Sequence, residues 1–176
     1  MTAADVPTTL GVDNRKLGMW VFLGSEFLFF GAFFAAFMLY MTTTADGPGV
    51  EIFDIPFTSI SSFVLLMSSL TMVLAHNAHR QGDLRRMRMW ILATAGQGAV
   101  FLGGQVFEFT VFHSEGLRFT GSPFASAFFT LTGFHGIHVF IGIMLLLSLY
   151  TMTLTGKIKP HQDVRTEMIG LYWHFV

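Results

Sequence analysis

Two carboxylates and several histidines stand where a soluble surface would not put them. Glu26 lies in LGMWVFLGSEFLFFG and Glu108 in GGQVFEFTVF, each inside a long apolar run. His135 and His138 are three apart in TGFHGIHV, His76 and His79 are three apart in AHNAHR, and His174 closes YWHF. A carboxyl in apolar surroundings can hold or pass a proton, and grouped histidines can ligate haem or a metal. Glu26 is about nine residues into its run, so about 14 Å deep if helical. An ionised carboxylate there costs roughly 2.5–3.5 kcal/mol on insertion scales, so it is neutral, paired or beside water. Two readings follow: a proton-handling group or contact to a partner subunit, or a protonated acid hydrogen-bonded between helices. The first is favoured. For Glu108 the structural reading is favoured, a hydrogen-bonded pair with Gln105 three residues earlier on the same face.

The metal reading fails on spacing. A di-iron bundle needs Glu-x-x-His on two helices and two further glutamates. No Glu-x-x-His occurs here, and Glu108 and His113 are five apart, off one face. Bis-histidine haem ligation needs two deep histidines on facing helices, whereas His135 and His138 share one. There is no cysteine, hence no thiolate site or disulfide. The expectation is no metal and no haem in this chain, with His76, His79, His135, His138 and His174 hydrogen-bonded across helices instead.

The elements that position these groups are set by where charge is absent. Hydrophobic residues make up 52% of the 176, charged residues 12%, and 21 are Phe; a soluble domain carries about 25% charge. A net charge of −1 argues against a nucleic-acid partner. Residues 1–14 are polar and are expected to be neither a signal peptide nor an Arg-rich transit peptide. Spans are expected at about 17–41, 57–80, 85–112, 123–153 and from 167 to 176 and onward. The fold class is therefore all-α, a single polytopic transmembrane bundle of five spans. Helical residues rise 1.5 Å each, so the last run is too short to cross and is expected to continue beyond Val176. Gly82–Asp83 reads as a C′ glycine followed by an N-cap, Ser122–Pro123 as N-cap and N1, and Gly47–Pro48–Gly49 as non-helical. Small-residue stripes (Gly24 with Gly31, Ala32 with Ala36, Ser61 and Ser62 with Ser68 and Ser69, Gly96 with Gly103, His135 and His138 with Gly142) are expected to bring helices close.

Basic residues set the expected orientation. Arg15, Lys16, Arg80, Arg85, Arg86, Arg88, Lys157, Lys159 and Arg165 fall in alternate connections; only Arg118 lies in the others, beside Asp46, Glu51, Asp54 and Glu115. Nine of ten on one side places the N-terminus in the cytoplasm. The basic loops serve topology or also bind anionic lipid headgroups.

Taken together, the Ser25–Glu26 run of the first helix, Ala75–His76–Asn77–Ala78–His79, Gly104–Gln105–Val106–Phe107–Glu108, Thr132–Gly133–Phe134–His135–Gly136–Ile137–His138 and Tyr172–Trp173–His174–Phe175–Val176 closely resemble cytochrome c oxidase subunit III of the haem-copper oxidase superfamily, from about Lys16 to Val176. Longer members have two additional helices before this region, and five-helix versions belong to bacterial oxidases. The resemblance implies an accessory subunit in a bacterial plasma membrane, without haem or copper of its own. It would pack beside the haem- and copper-bearing subunit I, support proton uptake and the lifetime of the catalytic core, and hold phospholipid. It carries the proton-related role to Glu26, matches Glu108 to a motif glutamate, and loosely assigns lipid headgroups to Lys157 and Lys159. Cytochrome c is the expected electron donor; a quinol oxidase subunit or an accessory subunit of nitric oxide reductase is the alternative. An independent proton channel or transporter is the alternative of another class, and neither broken helices nor inverted repeats favour it.

Overall fold

A computed structural model describes residues 13–43, 49–158 and 164–176. Five α-helices follow one another: α1 Asn14–Tyr40, α2 Ile55–Arg80, α3 Leu84–Ser114, α4 Pro123–Leu154 and α5 Val164–Phe175, with a single 3-10 turn at Val50–Ile52. Each begins or ends within a few residues of the limits that charge and apolar runs set. Asp54 accepts from the Phe57 N–H at 3.2 Å, Asp83 from the Arg86 N–H at 3.0 Å and Ser122 from the Ala125 N–H at 3.1 Å, so each long helix after the first has a side-chain N-cap.

The α2–α3 connection is only Gln81, Gly82 and Asp83. Gly82 takes φ 79°, its N–H reaches the His79 carbonyl and the Asp83 N–H reaches the Ala78 carbonyl. This is the Schellman arrangement expected of that glycine. Gly47 and Pro48 lie outside the described residues.

By length and apolar composition α1, α2 and α4 each suffice to cross a bilayer. At 31 residues α3 is as long, but it carries Gln97, Gln105 and Glu108 and four glycines in its middle. It lies between α2 and α4, so its polar groups meet protein rather than lipid. End-to-end contacts fix the directions. Lys16 Nζ lies 2.7 Å from Glu167 Oε2, joining the starts of α1 and α5. Arg88 donates from Nε to Thr153 Oγ1 and from a terminal nitrogen to the Thr153 carbonyl, tying the start of α3 to the end of α4. The basic connections therefore gather at one end of the bundle.

Two cores result. Toward the basic end, Met72, Ala75, Met87, Ile91, Val139, Ile143, Leu146 and Trp173 knit α2, α3, α4 and α5 together. At the opposite end, Phe112, Leu117, Phe124 and Ala125 pack with Phe37, Phe53 and Phe128. Only Leu23 is buried on α1, which touches α4 and α5 along one side and turns Trp20, Phe27, Leu28 and Leu39 outward.

The packing seams follow the expected stripes only in part. Gly24, Gly31, Gly96 and Gly103 have nothing within 4 Å of where a Cβ would stand. Close approach occurs at Gly142, as expected of the fourth-helix stripe, and at Gly98, which lay outside the stripes; a Cβ there would stand 2.8 and 2.5 Å from the Trp173 ring. The indole of α5 fills the slot between α3 and α4, and its Nε1 donates to Ser68 Oγ of α2 at 3.0 Å. Seven-residue spacing records a helical face but not which face meets a neighbour; in lipid every face is apolar, so the stripe alone does not choose.

Candidate functional site

Glu26 is twelve residues from the first residue of α1 and fourteen from its last; His138 is fifteen and sixteen from the ends of α4. Two mid-helix positions on adjacent spans meet at one depth. Glu26 Oε2 lies 3.2 Å from His138 Nε2, the side chains being 17% and 15% exposed. The other ring nitrogen, Nδ1, is 2.7 Å from the Phe134 carbonyl one turn back on α4. The Tyr172 hydroxyl of α5 donates to the His138 carbonyl at 3.1 Å, and the Phe30 ring meets the imidazole edge-on. Oε2 is buried and, although within ion-pair distance of Nε2, is not aligned for a formed hydrogen bond. Thus α1, α4 and α5 converge on one acid–imidazole pair.

A second polar group lines a groove of about 960 Å³ between α2, α3 and α4, closed at one end by the last residues of α5. Glu108, six residues from the end of α3, accepts from Thr58 Oγ1 of α2 at 2.7 Å. Gln105 does not bond Glu108, contrary to the pairing expected from their spacing. Its Nε2 donates to the Thr132 carbonyl of α4, and its buried Oε1 has no partner. The amide can lie there because α4 has Gly136, where a Cβ would stand 2.8 Å from Oε1. Sharing a face put both side chains toward neighbours, but α2 claimed one and α4 the other.

The remaining histidines separate by neighbourhood. His135 lies edge-on to Phe101 of α3 and lines the groove with His174. His79 is 1% exposed, and His76 lies half-buried within electrostatic reach of Glu167 and His174. Lys157 is exposed just past α4, after Gly156 at φ 68°; Lys159 lies outside the described residues. No group of three or more His, Asp or Glu side chains suited to a metal ion occurs among the described residues. Sequence reasoning did not single out Thr58; it gave Ser68 only a place in a packing stripe, Arg88 only a part in the topology and Tyr172 only a place in the Tyr172–Val176 motif.

This arrangement defines a class first: a helical membrane bundle whose deep polar groups pair across its helices. The family follows from comparison. The model of the family "Cytochrome c oxidase subunit III" matches residues 6–176, and the chain belongs to that family. It is 37% identical over 169 residues to cytochrome c oxidase subunit 3 of Bacillus sp. (strain PS3), covering 96% of this chain and 82% of that protein. With the subunit 3 of Thermostichus vulcanus it shares 41% identity over 169 residues, 93% of this chain and 81% of the relative. It is also 36% identical over 162 residues, 91% of this chain and 79% of the relative, to quinol oxidase subunit 3 of Bacillus spizizenii (strain ATCC 23059 / NRRL B-14472 / W23). The chain is thus a subunit III of the haem-copper oxidase type, a component of an oxidoreductase complex.

Proposed function

We propose that this subunit packs beside the haem- and copper-bearing subunit of a cytochrome c oxidase in a bacterial plasma membrane, and that Glu26 handles protons there. The observation that carries the reading is the Glu26–His138 pair, an acid and a base at mid-membrane on one side of the bundle. A deep ionisable residue that faces a partner inside the bundle is functional by default. The outward apolar face of α1 offers the docking side, since α1 is held by the rest of this chain along one side only. A cytochrome c oxidase subunit at 41% identity supports the cytochrome c donor; the quinol oxidase relative, at 36%, supports a quinol donor as the second reading.

Affinity purification of the tagged subunit should bring with it a haem- and copper-bearing partner, recognised by its optical spectrum; purification alone, without haem, overturns the assembly. In that complex Glu26→Gln should leave assembly and steady oxygen reduction intact, because the amide fills the same volume. Proton uptake should slow, or the enzyme should inactivate sooner. Unchanged proton uptake and lifetime would leave Glu26 a packing residue.

Orientation and lipid contacts belong to the same proposal. Arg85 and Lys157 face the cytoplasm and Glu51 the outside, in keeping with the basic bias. Labelling of Glu51→Cys from the cytoplasmic side would invert that assignment. Lys157 and Lys159 meet phospholipid headgroups at the cytoplasmic rim, and Lys157 is free to do so because it is exposed beyond the α4 cap.

A further inference from the structure

The pair at mid-membrane contains more than proximity. A carbonyl can only accept, so the 2.7 Å contact between His138 Nδ1 and the Phe134 carbonyl requires a proton on Nδ1. In a neutral imidazole the other nitrogen, Nε2, is then a bare acceptor. It is this nitrogen that faces Glu26 Oε2 at 3.2 Å. An ionised carboxylate against a bare nitrogen would set two lone pairs against each other in a buried gap with no other donor among the described residues. Oε2 has no hydrogen-bond partner, and the Tyr172 hydroxyl is committed to the His138 carbonyl.

We infer that Glu26 and His138 hold one proton between Oε2 and Nε2, with His138 the base that receives it and the Phe134 carbonyl the group that fixes the ring. The inference rests on the reading of Glu26 as a proton-handling group and names the partner of that site. Two proton placements suit the 3.2 Å separation, each completed by a small turn of either side chain into alignment: a carboxylic acid donating to Nε2, or a carboxylate accepting from imidazolium. Each has a net charge of zero. Passing the proton breaks the O–H bond as the N–H bond forms, moves a positive charge from α1 to α4 and leaves no uncompensated ion in hydrocarbon, where a lone charge is costly. Two titratable neighbours lie within electrostatic reach of the pair. Besides the pair, the titratable groups nearest it are Tyr172 from α5 and His135 on α4; His135 turns instead toward Phe101 of α3. Tyr172 is a positioning residue, since its hydroxyl holds the α4 backbone at His138 against α5.

The test reads the imidazole directly. The intact oxidase complex, with ¹⁵N-labelled histidine in this subunit, is examined in membranes by solid-state NMR, and His138 is assigned by its loss in His138→Gln. Nδ1 should carry a proton, and Nε2 should resonate between the bare and protonated positions. In Glu26→Gln, Nε2 should move to the bare position while Nδ1 stays protonated. A wild-type Nε2 already bare and unmoved by Glu26→Gln, or an unprotonated Nδ1, overturns the inference. Should Glu26→Gln fail to assemble, hydrophobic carbodiimide reactivity of Glu26 supplies the second measurement. His138→Gln should change it several-fold, and an unchanged rate overturns the shared proton. Because these readouts come from the resting complex, they stand apart from proton uptake in turnover. A shared proton with normal uptake in Glu26→Gln would sink only the functional reading.

Discussion

Glu26 and Glu108 are both acids within long helices, yet the bundle treats them differently. Glu26 sits at the middle of α1 against an imidazole, with a buried oxygen that lacks an aligned donor. Glu108 sits near the end of α3 at a groove, satisfied by a threonine hydroxyl. A hydroxyl suits a fixed carboxylate and is far too weak a base to keep a proton that the acid gives up. An imidazole is both donor and acceptor. The difference teaches that depth alone does not make an intramembrane acid reactive; the partner's capacity to take a proton does.

The largest expected contrast is in assembly. Glu26→Ala leaves a gap between α1 and α4 and strands a bare ring nitrogen, an expected loss of about 2–4 kcal/mol. Because α1 is held along one side only, the amount of assembled complex should fall about tenfold or more, at 1.4 kcal/mol per tenfold. Glu108→Ala should lower stability by about 1 kcal/mol or less, since the Thr58 hydroxyl still has the Asp54 carbonyl at 3.0 Å. Native gels of membranes carrying each variant compare them, and equal losses would erase the distinction. A smaller contrast is chemical. Hydrophobic carbodiimide attacks protonated carboxyls in apolar surroundings, so Glu26 should be modified several-fold faster than Glu108 in the intact complex. Faster modification of Glu108 would reverse the ranking. The smallest effect belongs to an acid in water. Glu51 accepts from the Gly49 N–H at 2.8 Å, and that bond holds its carboxyl below the usual 4.5. A lowered carboxyl adds stability that is present above its ordinary value and is lost as pH falls through the lowered one. The Gly49 amide should therefore be protected from exchange at neutral pH and lose that protection in acid, with no effect on oxidase activity. Protection that persists in Glu51→Ala, which has no side-chain acceptor, would remove the bond from the account.

Depth was legible in the sequence and azimuth was not. Charge-free runs gave the helices, and counting residues gave the mid-membrane position of Glu26. Gly82, Asp83 and Ser122 announced their caps because local backbone chemistry needs no distant partner. What the sequence withheld was which neighbour each face meets. His135 and His138 are three apart and share a side of α4, yet one meets α3 and the other α1, because that side straddles two neighbours. Gln105 and Glu108 part for the same reason. Gly98 rather than Gly96 became the seam because an indole 75 residues away needed the space, and no local pattern encodes that.

The three-residue link between α2 and α3 bears on how the chain enters a bilayer. The corresponding link between α1 and α2 runs over residues 41–54, fourteen residues. Loop-closure entropy scales as (3/2)RT ln n, so a three-residue link folds α2 onto α3 at about 1.4 kcal/mol less than a fourteen-residue link would cost, and α1 packs on α4 and α5 instead. The α2–α3 pair is also rich in contacts close in sequence, the kind that form fastest. The two helices are thus suited to insert as one hairpin, onto which α4 and α5 close, and α1 docks last against α4 and α5. A subunit assembled in that order presents its most loosely held helix, the one carrying Glu26, to whatever protein meets it at the end of synthesis.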